Sequence, residues 1–270
     1  MERLSQPKTY TDTRLTFDDV KSFDLFTSAF PYRPTLSAND FIDEKHRDIA
    51  EAKTGKMGIS ICIDIGIEGY LLHGDAMKLY EMAALGQGDI LELGTHRGLS
   101  TSIMAEAISN RDNGIIETVD IDLCSNIIAR DNITGRKGAE RVNFVVMDAT
   151  RRMDELIRMG RKFGFVFIDH WHGYEATYEA AERLDKLLLD DGYVLFHDAL
   201  DPGNADPNHP YGVFTAIEDT IGKDSRFTFF GNFGCCSLYH FKDVEEVKQA
   251  IEAEPAKDNG ILSRLRHMLG

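Results

Sequence analysis

The sequence predicts an α/β fold: a doubly wound, mostly parallel seven-stranded sheet closed by an antiparallel C-terminal hairpin. Three observations predict it. From about residue 75 short apolar segments alternate with helical ones, the rhythm of a parallel sheet with helices on both faces. An acidic residue stands at or just after the apolar segments, at Asp120, Asp148, Asp169 and Asp198. After residue 221 the rhythm breaks into two β-rich stretches around a glycine-containing turn, a hairpin signature.

The elements follow in order. Asp75 is placed to cap a helix over 76–85, where Met77, Leu79, Tyr80 and Leu85 are apolar, and Gly86 and Gly88 stop it. Residues 90–93 read as the first strand and 100–108 as a helix. The second strand is 115–120, followed by a helix over 125–132. The third strand is 142–147, with a helix over 153–159. Phe165-Val166-Phe167-Ile168 is a buried fourth strand, and 174–189 an amphipathic helix. The fifth strand is 193–196 and the next helix 212–221. Residues 227–230, a Gly-Asn-Phe-Gly turn and residues 235–241 make the closing hairpin. Ligands of such a sheet lie outside the carboxyl ends of its strands.

Three regions are expected. Residues 1–74, with Phe26, Phe30, Tyr32 and Phe41 irregularly spaced and Pro31 and Pro34 interrupting them, read as an N-terminal cap or oligomerisation extension. Residues 75–241 form the sheet domain. Residues 242–270 read as a helical tail, with Leu262, Leu265 and Leu269 at helical spacing as core or subunit contact, so a homo-oligomer is expected. The formal charge of −15 argues against a nucleic-acid partner, whose binding surface is normally basic. No apolar run reaches the ~18 residues of a membrane span, and the first residues lack the apolar core of a secretory signal. Cys62, Cys124, Cys235 and Cys236 show no CxxC spacing and read as reduced, buried thiols of a cytoplasmic protein. Adjacent in a strand, Cys235 and Cys236 would point to opposite faces.

The candidate chemistry sits at the strand ends. In Glu92-Leu93-Gly94-Thr95-His96-Arg97-Gly98-Leu99-Ser100, two glycines let the backbone turn tightly, and the following helix offers free N–H groups. Its GxxxG spacing is not the GxGxxG of dinucleotide enzymes. In Val119-Asp120-Ile121-Asp122, Asp120 can accept hydrogen bonds from ribose hydroxyls. In Met147-Asp148-Ala149 an acid can meet an exocyclic amine. Asp169-His170-Trp171-His172 joins a carboxylate, two imidazoles and the chain's only tryptophan. With Asp198 on the neighbouring strand, Asp169 offers the paired carboxylates that suit a hard cation such as Mg²⁺. The proline-rich segment 201–212 follows directly and is a candidate lid over an acceptor pocket.

Glu92-Leu93-Gly94-x-x-x-Gly98-x-Ser100 followed by Asp120 resembles the class I S-adenosylmethionine-dependent methyltransferases, whose sheet is the Rossmann-like methyltransferase fold. Asp169-His170-Trp171 looks like the catechol-type O-methyltransferases, and His197-Asp198 like the bacterial enzymes that tailor sugars and antibiotics. The resemblance covers roughly residues 75–241. It implies S-adenosylmethionine as cofactor and a hydroxyl of a small molecule as acceptor. Glu92, Gly94, Thr95, Gly98 and Ser100 would surround its methionine part, and Asp120 and Ile121 its ribose. Asp148 and Ala149 would border the adenine, with Trp171 on its face and His170 beside it. Asp169 and Asp198 would bind a divalent metal, Mg²⁺ by this chemistry, with His197 a third candidate ligand. His172 stands where catechol-type enzymes place a lysine base, and Ala199 where they place a metal-binding asparagine. Imidazole, with an unperturbed pKa near 6.5, accepts a proton at neutral pH. The residues alone also admit a metal-dependent hydrolase built on Asp169, His170, His172 and Asp198, or a nicotinamide oxidoreductase.

Overall fold

A computed structural model describes residues 13–23, 40–52 and 62–243. The aromatic and proline positions predicted at 26–34 and the leucine stripe at 262–269 lie outside the described residues, as does the side chain of Phe41. Two helices, α1 (Phe17–Lys21) and α2 (Asp40–Glu51), precede α3 (His73–Leu85). There follow β1 (Ile90–Leu93), α4 (Leu99–Ile108), β2 (Ile116–Asp120), α5 (Leu123–Ile133), β3 (Val142–Val146), α6 (Ala149–Arg158) and β4 (Phe163–Ile168). Next come α7 (Tyr174–Ala181), α8 (Leu184–Leu187), β5 (Leu188–Phe196), α9 (Val213–Asp219), β6 (Phe227–Phe233) and β7 (Cys236–Phe241). The strands form one seven-stranded sheet in the order β3-β2-β1-β4-β5-β7-β6. The first five are parallel and β7 is antiparallel to both β5 and β6. The predicted fold class is the observed one.

Apolar runs explain the buried centre. Phe163, Phe165, Val166 and Phe167 are all 0 % exposed on β4, flanked by β1 and β5. Burying each such side chain contributes roughly 1.5–3 kcal/mol. Two cores result, one on each face. Phe165, Phe167 and Leu195 meet α3 and α4 through Tyr80, Met82, Ile103 and Met104, while Val166, Ile168, Val194 and Phe196 face Leu156, Leu184 and Ile217. Ile49 of α2 and Ile63, Ile67 and Leu71 join the first core, so the described part of residues 1–74 packs against the sheet domain itself. Among the described residues no helix is long and apolar enough to cross a membrane.

Several boundaries differ from expectation. The helix predicted at 76–85 starts at His73, and Asp75 lies in its first turn rather than capping it. Its carboxylate turns back to accept the Leu72 N–H at 2.7 Å, as the acid of a capping box does. The helix predicted over 174–189 ends at Ala181 and resumes only for Leu184–Leu187, and Leu188 already belongs to β5. An apolar Leu-Leu-Leu run fits either period, and pairing with Phe163 decides it for the strand. Likewise Gly231 and Asn232 pair with Leu238 and Ser237 instead of turning, so the hairpin loop shrinks to Gly234-Cys235. The helix expected from Met153 begins at Ala149, because the Asp148 side chain accepts the Arg151 N–H and caps it.

Candidate active site

The carboxyl ends of β1, β2, β3, β4 and β5 open onto one cavity of about 740 Å³, within the range of small-molecule sites. Of the residues expected at a site, Gly94, Asp120, Ile121, Asp148, Ala149, Asp169, His170, Trp171, His172, His197 and Asp198 line it. The remaining ones, Glu92, Thr95, Gly98 and Ser100, lie beneath its wall and are buried.

These buried residues build the turn that the wall is made from. Glu92 is 0 % exposed and both its oxygens are held, by the Ser100 and Thr101 hydroxyls, each at 2.5 Å. Burial outweighs those hydrogen bonds and pushes its pKa up to about 7. Thr95 Oγ1 meets Thr118 Oγ1 at 2.6 Å, tying the turn to β2. Gly94 has φ of +100°, and a Cβ there would fall 2.0 Å from the Asp169 carbonyl oxygen, so only glycine lets β1 and β4 approach this closely.

One side of the cavity is acidic. Asp120 Oδ2 accepts the His96 N–H at 2.7 Å and Oδ1 the Asp122 N–H at 2.8 Å, which fixes the carboxylate at the end of β2. Asp148 is fixed by its capping bond, with Ala149 and Thr150 beside it. Trp171 is 65 % exposed, a flat face left uncovered by the chain. His170 Nδ1 lies 3.0 Å from the Trp171 carbonyl oxygen, while its Nε2 is buried without a hydrogen-bond partner. Burial holds its pKa below the ordinary imidazole value. A neutral ring with one unused nitrogen, a fixed ribose-type acid and an uncovered indole fit a bound nucleoside.

On the other side β4 and β5 run in register, Ile168 opposite Phe196, which brings Asp169 beside His197 and Asp198. His172 Nδ1 lies 3.2 Å from Asp198 Oδ2. His197 Nδ1 lies 3.0 Å from Asp169 Oδ1 and 3.3 Å from Asp198 Oδ1. Asp198 adopts φ of +54°, a conformation that non-glycine residues hold only when their surroundings impose it. Burial raises its pKa, but the imidazoles of His197 and His172 outweigh this and leave it at about 2. Burial opposes a charged His197, yet Asp169 and Asp198 hold it protonated well above the ordinary imidazole range. One ligand atom each from Asp169, His172 and Asp198 lies within 4.8 Å of the others, and the two carboxylates of this set fit a hard divalent cation with water completing its shell. Ala199 is 0 % exposed and packs in the core, so its position brings no ligand.

The 201–212 segment is anchored rather than loose at its two ends. Asn204 donates to the carbonyls of Asp198 and Asp201, both at 2.8 Å, and accepts the Phe214 N–H at 3.0 Å. Gly212 N–H donates to His172 O at 2.9 Å. Tyr211 thereby stands against His172, ring centroids 4.9 Å apart, and lines the cavity with Asp201. Sequence reading missed Tyr70, His96, Thr150 and Asp75 in the wall. His96 lay inside the glycine turn and Thr150 followed the third acid, so their place was visible. Asp75 was occupied by its role at a helix start, and nothing local marks Tyr70.

Residues 91–199 match a family described as "Methyltransferase domain". A caffeoyl-CoA O-methyltransferase of Stellaria longipes is 28 % identical over 148 residues, which cover 50 % of this chain and 60 % of that relative. The O-methyltransferase TomG of Streptomyces achromogenes, solved with SAM, superposes with a TM-score of 0.53 at 19 % identity, over 77 % of this chain and 92 % of that one. An O-methyltransferase of Bacillus cereus, solved with SAH, gives a TM-score of 0.53 at 17 % identity, over 77 % and 93 %. The likeness to the solved structures is one of fold, and the sequence likeness is confined to the methyltransferase-domain match over residues 91–199 and to a relative of which this chain spans 60 % of the length.

Proposed function

We propose that this chain transfers the methyl group of S-adenosylmethionine to a hydroxyl of a small molecule, with His172 as general base and a divalent cation, Mg²⁺ by its chemistry, assisting. The observation that carries this reading is the single cavity that joins a nucleoside-suited wall (Asp120, Asp148, His170, Trp171) to the Asp169–His172–Asp198 cluster. The match of residues 91–199 to a methyltransferase domain supports it.

Bound S-adenosylmethionine supplies an electrophilic methyl on a sulfonium. The displacement is in line, so the protein contributes most by fixing the acceptor oxygen against that methyl. Asp120 and Trp171 hold the nucleoside end from the β2 and β4 strand ends. Tyr211, Tyr70 and Asp201 border the space left for the acceptor. Asp169 and Asp198 would hold the cation, which would supply Lewis acidity toward the acceptor hydroxyl. The hydroxyl proton goes to His172, whose Nδ1 edge lies 3.2 Å from Asp198 Oδ2, so that Nε2 is the nitrogen left to take it.

Calorimetric titration with S-adenosylmethionine, S-adenosylhomocysteine and NADH, followed by methyl transfer to a panel of phenols and sugar hydroxyls with and without Mg²⁺, tests this reading. Binding of the first two ligands but not NADH, with Mg²⁺-stimulated product, is expected. Absence of S-adenosylmethionine binding overturns it.

A further inference from the structure

Behind the cavity wall, where the β6–β7 turn meets the first turn of α3, a second cluster converges that the methyl-transfer reading does not use. Asp75, Cys235 and Cys236 join the far side of His197. Their exposures are 0 %, 3 % and 0 %, and that of His197 is 5 %. One ligand atom from each of the four lies within 4.8 Å of every other. Asp75 Oδ2 to His197 Nε2 is 3.5 Å, Cys235 Sγ to His197 Nε2 3.5 Å, and Cys235 Sγ to Asp75 Oδ2 3.6 Å. Tetrahedral zinc with ligands at about 2.0–2.3 Å has ligand–ligand edges of roughly 3.3–3.8 Å. The three measured edges fall inside that range.

The backbone is shaped to make this convergence. In a regular strand the two adjacent thiols would diverge, but Cys235 sits in the two-residue turn and Cys236 opens β7, so both reach one point. Gly234 has φ of +59°, and a Cβ on it would fall 2.0 Å from Asp75 Oδ1, so the turn is seated directly on that carboxylate. Cys235 N–H donates to Asp75 Oδ1 at 2.9 Å and Leu72 N–H to Oδ2 at 2.7 Å, which fixes the acid while leaving a lone pair on Oδ2. The opposite edge of His197 faces Asp169 at 3.0 Å, the carboxylate–histidine–metal arrangement that fixes the tautomer of a ligating ring. Asp75, His197 and Cys235 also border the cavity, which gives an ion a way in.

We propose that Asp75, His197, Cys235 and Cys236 form a second metal site, a buried tetrahedral centre for zinc, distinct from the Asp169–Asp198 site. Two sulfurs, an imidazole and one carboxylate suit this borderline-soft ion and not Mg²⁺. Binding displaces one proton from each thiol and the Nε2 proton of the His197 imidazolium, three in all, to solvent, and the ion bonds to the two thiolates, Nε2 and Oδ2. The four ligands then carry a net −1 with the ion, and His197 keeps its Nδ1–H toward Asp169. The centre ties the hairpin to α3 and holds the ring on which Asp169 rests.

Elemental analysis of the full chain, purified from zinc-supplemented growth and dialysed, reads the site directly. About one zinc per chain is expected. Co²⁺ titration of the reduced, zinc-stripped protein should give tetrahedral d–d bands and a near-ultraviolet thiolate charge-transfer band. Both should be lost in the C235S/C236S double variant and kept in C124S, whose thiol is exposed. Less than about a tenth of a zinc per chain together with no thiolate band in the wild type overturns the proposal. So does zinc retained undiminished in a folded C235S/C236S variant. The wild-type cobalt titration decides the matter even where that variant does not fold.

Discussion

His172 Nδ1 lies 3.2 Å from Asp198 Oδ2, and that contact orients an imidazole whose ring also packs against Tyr211. A base held this way contributes typically 10²–10⁴-fold. His172→Ala should therefore lower kcat by about 10²-fold or more while leaving the S-adenosylmethionine Kd within about twofold, since the ring takes no part in holding the nucleoside. Steady-state kinetics beside calorimetry separate the two quantities. Turnover at the wild-type level would remove His172 from the role.

The paired carboxylates make a separate prediction. Asp198, held at about pKa 2, stays ionised throughout the working range, so it can ligate a cation without competition from protons. Chelation with EDTA should abolish most activity and Mg²⁺ should restore it. Asp169→Asn combined with Asp198→Asn should lose activity by roughly 10²-fold or more and no longer respond to Mg²⁺, because a Lewis acid there is worth several kcal/mol. Activity insensitive to EDTA in the wild type would leave deprotonation to His172 alone.

Gly94 links fold and site. A side chain there would strike the Asp169 carbonyl and would need φ near +100°. Gly94→Ala should cost about 2 kcal/mol or more and lower Tm by roughly 4–8 °C. It should also weaken Mg²⁺ activation, because relief of the clash moves β4 at the residue that carries a ligand. Thermal unfolding and a Mg²⁺ titration check the two effects on one preparation.

The strand-end acids were legible because a buried strand is a short apolar run and the residue that ends it is conspicuous: Asp120, Asp148, Asp169 and Asp198 all reached the cavity. The depth of Glu92 and Ser100 was not legible. A strand–turn–helix motif reads the same whether its acid faces the ligand or is sealed by the hydroxyls of the next helix, and only packing decides. The Asp75–Cys235 contact joins residues 160 apart in the chain and depends on a hairpin turn whose length the sequence misplaced by pairing rather than by propensity. Chemistry carried by one strand end can be read locally. Chemistry assembled by a turn landing on a distant helix cannot.

Glu92 sets the pH dependence of stability. Its folded pKa of about 7 stands above the ordinary glutamate value of 4.5, so the folded chain keeps a proton that the unfolded chain releases. The contribution to stability is therefore fully present below about pH 4.5 and is lost as pH rises to about 7, by roughly 3 kcal/mol at most, at 1.36 kcal/mol per pKa unit. Glu92→Gln keeps an oxygen acceptor for Ser100 or Thr101 and removes the titration. The variant's denaturant stability relative to wild type should then improve steadily between pH 5 and pH 7. Urea unfolding at several pH values across that window measures the difference, and parallel profiles for the two proteins would show that Glu92 is ionised in the fold. A carboxylate sealed under the Gly94–Gly98 turn is a cost to stability at neutral pH, and its two hydroxyl contacts to α4 explain what it holds in return: the first turn of the helix whose N-terminus follows Gly98.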